Sequence, residues 1–192
     1  GQIADPEFAR KARENRVEDI RLCLSCNQEC VGRMGLNRWM GCIETPATGQ
    51  EKKYGVGTLQ RVATPKRVTV IGGGPAGLKA ATVAARRGHR VTLLEKESRL
   101  GGQVVWAVRV ANRAEFGDLV RNLLHEIEQL GVEVKTGVAA TAESVLADKP
   151  EAVIVATGST ANRTAIPGGD GPNVADVVDI LSGRIKPGRR VL

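Results

Sequence analysis

Arg67-Val68-Thr69-Val70-Ile71 is a short β-branched run, followed at once by Gly72-Gly73-Gly74-Pro75-Ala76-Gly77 and then by an alanine-rich stretch to Arg87. β-Branched residues favour a strand and the alanine-rich stretch a helix, so the glycines form the turn between them. The G-x-G-x-x-G pattern is weak alone, and its place between strand and helix raises it above chance. Gly72 suits the tight turn, Gly74 lets a pyrophosphate approach the backbone, and Gly77 permits close helix–strand packing. Pro75 and Ala76 open the helix, whose N-terminus offers free N–H groups and the positive end of its dipole. Ala81, one turn on, keeps the packing tight.

The pattern continues in register. Val91-Thr92-Leu93-Leu94-Glu95 reads as a second strand, with Gly88 ending the helix before it. Glu95 lies eighteen residues after Gly77, where a carboxylate accepts hydrogen bonds from both ribose hydroxyls and repels a 2′-phosphate. The site is therefore expected to take FAD, ADP or NAD rather than NADP. Lys96 follows Glu95, and the weaker signals Arg99-Leu100-Gly101-Gly102-Gln103 and Val155-Ala156-Thr157-Gly158 come next. Gly102 and Gln103 would close a second loop on the pyrophosphate, while Thr157 and Gly158 would leave the domain beside the cofactor.

Further strands are predicted over Val132–Lys135 and Ala152–Ala156. Helices are predicted over Ala114–Leu130, where apolar residues recur at three and four, over Ala142–Ala147, and near Val174–Leu181. The β-α-β-α-β-α-β alternation predicts an α/β fold with a Rossmann-like parallel sheet. Residues 1–21 read as a helix with Asp5 as N-cap and Pro6 at its first position. Residues 44–65 read as a linker, and Arg189-Arg190-Val191-Leu192 as the start of another strand.

Four cysteines, Cys23, Cys26, Cys30 and Cys42, all lie within one stretch in the spacing C-x2-C-x3-C-x11-C. No apolar run approaches the roughly 20 residues that span a bilayer, and no signal peptide is evident, so the chain reads as a soluble cytoplasmic protein. Such a protein has little use for disulfides, which points to a metal centre. Iron–sulfur clusters and structural zinc both use four thiolates, and both stay open on spacing alone, the crowding of three cysteines favouring the cluster. Gly32, Gly35 and Gly41 fit a tight wrap with N–H groups turned to sulfur. Trp39 and Met40 would screen such a cluster, although plain core packing would also account for Trp39.

The net charge of +7 comes from scattered Lys and Arg, and aromatics make up only 3% of the 192 residues. A nucleic-acid surface needs clustered cations with stacking rings, so that class is set aside. His125 falls on the polar face of its predicted helix and His89 in a turn, and neither pattern points to catalysis.

Cys23-x-x-Cys26-Asn27-Gln28-x-Cys30, then Cys42, then Ala63-Thr64-Pro65-Lys66-Arg67-Val68 leading into Gly72-Gly73-Gly74-Pro75-Ala76-Gly77, resembles the C-terminal part of large NADH:flavin oxidoreductases of the old yellow enzyme class. That group includes 2,4-dienoyl-CoA reductase and trimethylamine dehydrogenase. The resemblance spans nearly the whole chain and implies a division into five parts. Residues 1–21 would end a TIM barrel lying outside this chain, 22–43 would hold a 4Fe–4S cluster, and 44–65 would link. Residues 66–158 would bind FAD or ADP, and 159–192 would cross toward an NAD(P)H domain also outside the chain.

It further implies Cys23, Cys26, Cys30 and Cys42 as cluster ligands, with Gly72, Gly74, Gly77, Glu95, Gly102 and Gln103 lining the FAD or ADP site. The partner would be an FMN-binding barrel in the same or a separate chain, acting on a small-molecule substrate, in a possible homo-oligomer. The implied activity is electron transfer between FAD or NAD(P)H and FMN through the cluster, in an enoate or 2,4-dienoyl-CoA reductase-like enzyme. Amine dehydrogenases and N-methyl demethylases of the same group are the alternative. The three-residue gap between Cys26 and Cys30 resembles the reductase branch, but demethylases share the Cys-Asn-Gln-x-Cys form. From another class, a zinc-stabilised nucleotide-binding interaction module is the rival.

Overall fold

A computed structural model describes residues 1–160 and 166–190. Four strands form one sheet: β1 (Arg67–Ile71), β2 (Arg90–Glu95), β3 (Glu133–Thr136) and β4 (Ala152–Val155). Every neighbouring pair is parallel, in the order β3-β2-β1-β4. The expected α/β fold with a Rossmann-like parallel sheet is what the chain adopts.

Side chains alternate across the sheet. Val68 and Val70 of β1 and Val91 and Leu93 of β2 are buried on one face, against Leu78, Ala81 and Ala84 of α4 (Pro75–Arg86) and Leu123 and Ile127 of α6 (Gly117–Gln129). Leu78, Ala81, Leu93 and Val70 are fully buried there. The chain works outward from β1 through β2 to β3, then returns to place β4 on the other side of β1. This reversal opens a crevice at the carboxyl ends of β1 and β4, the usual ligand position in open α/β sheets. The Gly72–Gly77 turn lies there, with Gly72 N–H donating to Leu94 O at 2.8 Å and Ala156 N–H to Ile71 O at 2.8 Å.

Residues 1–21 depart from the expected single helix. Only α1 (Phe8–Arg13) and a 3-10 turn at Val17–Asp19 form, because Asn15 takes a left-handed conformation at φ 57°. The N-cap position falls on Glu7, and Asp5 is used for tertiary bonding instead. Its carboxylate accepts from Glu7 N–H at 2.9 Å, Arg21 N–H at 2.8 Å and Lys11 Nζ at 2.7 Å. Burial opposes ionisation of Asp5, but Lys11 and these backbone N–H groups outweigh it and hold the carboxyl below the ordinary carboxylate range.

Three short helices were not expected from the sequence: α2 (Val31–Gly35), α3 (Glu51–Tyr54) and α5 (Val104–Ala107). Ala114–Phe116 is a 3-10 turn leading into α6. α7 (Ala142–Ala147) starts with a capping box between Thr141 and Ser144, and α8 (Val177–Ser182) is capped by Asp176. Arg189 and Arg190, where a further strand was expected to begin, are not in a strand, and Val191 and Leu192 lie outside the described residues.

Candidate functional site

The turn after β1 is held by contacts that leave little choice of residue. Gly72 adopts φ +107°, and a Cβ there would stand 2.3 Å from Ala156 O. A Cβ on Gly77 would stand 1.8 Å from Gly72 O. Gly74 is different: its nearest neighbour would be Gly102 Cα at 3.8 Å, an ordinary contact. Nothing in the fold forbids a side chain at Gly74, and the space beside it is open toward the cleft.

The G-x-G-x-x-G pattern asks nothing of Gly73, but the fold does. A Cβ on Gly73 would meet Leu100 Cδ2 at 2.3 Å and Glu95 Oε2 at 3.0 Å. Gly73 N–H instead donates to Glu95 Oε2 at 2.6 Å, and Glu97 N–H donates to Glu95 Oε1 at 2.9 Å. Glu95 is buried and aimed by two backbone donors. Each carboxylate oxygen keeps a second lone pair for a hydroxyl. The run of three glycines was the available signal for Gly73, but its need depends on Leu100, which reaches it only in the folded chain.

The second loop closes on the first. Gly101 N–H donates to Gly73 O at 2.8 Å, and Gly102 faces Gly74 across the cleft. Gln103 Nε2 donates to Ser159 O at 2.7 Å, tying this loop to the chain leaving β4. Thr157 backs the turn, its Cα 3.1 Å from where a Gly72 Cβ would stand, and Gly158 is exposed beside open space. Pro75 is the first residue of α4, Ala76 is exposed beside it, and no side chain caps the helix. The free N–H groups of the first turn therefore face the cleft. Lys96 is exposed, 3.9 Å from Glu97, and no contact joins it to the glycine loops.

This site is an open cleft. A cavity of about 570 Å³ lies at the other end of the sheet, lined by Arg67, His89, Arg90 and Glu133, and includes none of the cleft residues. His89 Nδ1 accepts from Lys66 N–H at 3.1 Å, and His125 Nε2 pairs with Asp19 at 2.7 Å. Both histidines have structural partners.

All four cysteines are free thiols; Cys26, Cys30 and Cys42 are half-buried and Cys23 is exposed. Ser25 and Asn27 take left-handed backbone conformations between the first three. Among the described residues, no three His, Cys, Asp or Glu side chains stand close enough to share one metal ion. Four unpaired thiols in one loop are a donor set that an iron–sulfur cluster and structural zinc both use.

Two expectations about this loop need correction. Gly32 N–H donates to Asn27 O and Gly41 N–H to Glu29 O, both at 2.8 Å, so these donors serve carbonyls rather than sulfurs. Trp39 is not packed in a core: it is 54% exposed, with the Arg33 guanidinium 4.1 Å from its ring centroid. Met40 is exposed as well. No helix among the described residues is long and apolar enough to cross a membrane.

Comparison with known proteins fits this geometry. The family described as Pyridine nucleotide-disulphide oxidoreductase matches residues 66–187. An NADH oxidase from Thermoanaerobacter brockii is 41% identical over 188 residues, which is 96% of this chain and 29% of that protein. A cinnamate reductase from Clostridium sporogenes is 37% identical, over 99% of this chain and 28% of its own length. Among solved structures, a 2-naphthoyl-CoA reductase complex superposes with a TM-score of 0.91 at 36% identity, covering 97% of this chain and 28% of that one. The chain thus spans somewhat over a quarter of the relatives it matches.

Proposed function

The chain belongs to the pyridine nucleotide-disulphide oxidoreductase family, and from that premise we propose that it is the cluster- and nucleotide-binding part of an iron–sulfur flavin-dependent reductase. The whole enzyme passes electrons from NAD(P)H through FAD and a 4Fe–4S cluster to an FMN-binding barrel, which reduces an enoate or enoyl-CoA substrate. The cinnamate and naphthoyl-CoA reductases among its relatives support that substrate class.

The observation that carries this reading is the open cradle at Gly74, in a turn whose other glycines are locked by the fold, in the same chain as a loop of four free thiols. The N-terminal N–H groups of α4 bind the pyrophosphate of FAD or ADP, with the helix dipole adding attraction. Gly74 and Gly102 keep both walls of the cleft bare so that the backbone lies against it. Gly73 and Glu97 hold the Glu95 carboxylate in place to accept the ribose hydroxyls. A carboxylate there disfavours a 2′-phosphate by charge repulsion. Cys23, Cys26, Cys30 and Cys42 supply thiolates to the cluster. When bound, cluster and flavin supply one-electron conduction and exchange between one- and two-electron steps.

The test uses this chain, reconstituted anaerobically with iron and sulfide and titrated with ADP. The expected result is a brown protein whose visible absorption bleaches with dithionite, together with saturable ADP binding. A colourless protein holding one zinc per chain would overturn the redox reading in favour of a zinc-stabilised module. Failure to bind ADP would remove the nucleotide from the glycine cleft.

A further inference from the structure

The cysteine loop is closed at its base by a buried ion pair. Arg21 stands two residues before Cys23 and Glu44 two residues after Cys42, and Arg21 Nη1 donates to Glu44 Oε1 at 2.6 Å. Arg21 also pairs with Glu126 of α6, which Arg86 of α4 approaches at 3.3 Å. Both ends of the loop are thereby held against the nucleotide-binding domain.

One side chain of that domain touches both ends. Asn122 Oδ1 accepts from Leu22 N–H at 3.1 Å, and its Nδ2 donates to Leu22 O at 3.0 Å and to Glu44 Oε1 at 2.9 Å. It thus grips both backbone groups of the residue directly before Cys23, and also the carboxylate that follows Cys42. Asn122 and Glu44 are only 4% and 3% exposed. The asparagine lies among Leu119, Leu123 and Leu124, which are packed on or into the core. A buried amide in an apolar stripe is tolerated only when its hydrogen bonds are met. Here three of them come from the two ends of the cysteine loop, and a longer one from Arg121 Nη1 to Oδ1 at 3.3 Å adds to them.

We infer that Asn122 is a positioning residue for the four-cysteine centre: it fixes how far apart the two ends of the loop stand, and so where Cys23 sits relative to Cys42. The inference rests on the reading that these thiols hold an iron–sulfur cluster. Ligands held at a set spacing bind a cluster without first ordering twenty residues of loop, and partners outside the ligand set typically contribute about 10–100-fold in metal affinity.

The test compares the wild-type chain with Asn122→Leu, which keeps the volume and removes every hydrogen bond, and with Ile127→Val as a control. Ile127 lies on the same helix in the apolar core, and its side chain carries no polar group that could join the node. Each protein is reconstituted anaerobically. Iron and sulfide content, the rate of cluster loss to a chelator, the electron paramagnetic resonance spectrum after dithionite, and ADP affinity are then measured. Asn122→Leu is expected to lose its cluster about 10-fold faster, with an altered spectrum and unchanged ADP affinity. Ile127→Val is expected to keep the wild-type rate and spectrum. If Asn122→Leu does not fold, Asn122→Asp gives the same reading, because it keeps the acceptor for Leu22 N–H and sets a carboxylate against Glu44. Wild-type loss rates and spectrum in the Asn122 variant overturn the inference, as does an equal effect from Ile127→Val at matched thermal stability. A wild-type chain that takes up no iron and sulfide would instead defeat the cluster reading itself.

Discussion

Gly74 and Gly77 stand three residues apart in one motif, yet alanine at each meets a different environment. At Gly77 the added methyl would overlap Gly72 O, a backbone atom that cannot swing aside. Gly77→Ala is expected to cost about 1–3 kcal/mol or more of folding stability, the range for overpacking, seen as a lower melting midpoint with or without nucleotide. At Gly74 the methyl meets only Gly102 at van der Waals distance. Gly74→Ala should therefore melt with the wild type and still lose most of its ADP affinity, because the methyl occupies the cradle. Equal melting losses in both variants would make Gly74 a packing residue and empty the cleft of its assigned ligand. The motif was legible in the sequence because glycine spacing between a strand and a helix records local geometry. Gly73 and Asn122 were not, since their demands come from Leu100, Glu95 and Glu44, whose approach is decided by tertiary packing.

At the level of elements, the central strands and the two long helices were readable because each carries one apolar pattern over several residues. β1 and β2 are buried along most of their length, as their β-branched and leucine runs require, and α6 repeats its apolar stripe every three to four residues. The N-terminal segment has no such repeat, and Asp5 proved to be a tertiary anchor rather than a cap. The limit of pattern reading shows again on α4, where Lys79 is partly buried and close enough to feel the charges of Arg21, Arg86 and Glu44. Burial lowers its pKa first, repulsion from Arg21 and Arg86 adds to this, and Glu44 only partly opposes it, so the ammonium is pushed down to about 8. An amine depressed in the folded state binds fewer protons there than in the unfolded chain between pH about 8 and its ordinary value near 10.4. The Lys79 contribution to stability is thus most unfavourable below about pH 8 and rises through that window. Lys79→Met should raise stability at pH 7 by about 1–3 kcal/mol, and the advantage should shrink toward zero near pH 10. Thermal melts of both proteins across that range check the sign, and a constant difference would place the Lys79 ammonium in water.

For the molecule as a whole, the question is whether the cysteine loop and the nucleotide cleft stand or fall together. The buried core runs from Val68 to Ile127, with Leu100, Leu119, Val132 and Ile154 packed against it, and no residue before Val68 contributes to it. The cysteine segment joins that core through polar bonds from Arg21, Leu22 and Glu44, with Leu24 and Ile20 buried beside them. Energy stored in apolar burial is therefore concentrated in the nucleotide half, and the loop is anchored to a body that does not depend on it. Cys26→Ser removes one of the four thiols from the proposed cluster and alters nothing in that core. It is expected to abolish cluster assembly, read as iron and sulfide content after reconstitution, while ADP binds as tightly as to the wild type. Loss of ADP binding along with the cluster would mean that the node at Asn122 makes both halves one cooperative unit, with the loop's order transmitted through α6 to the cleft.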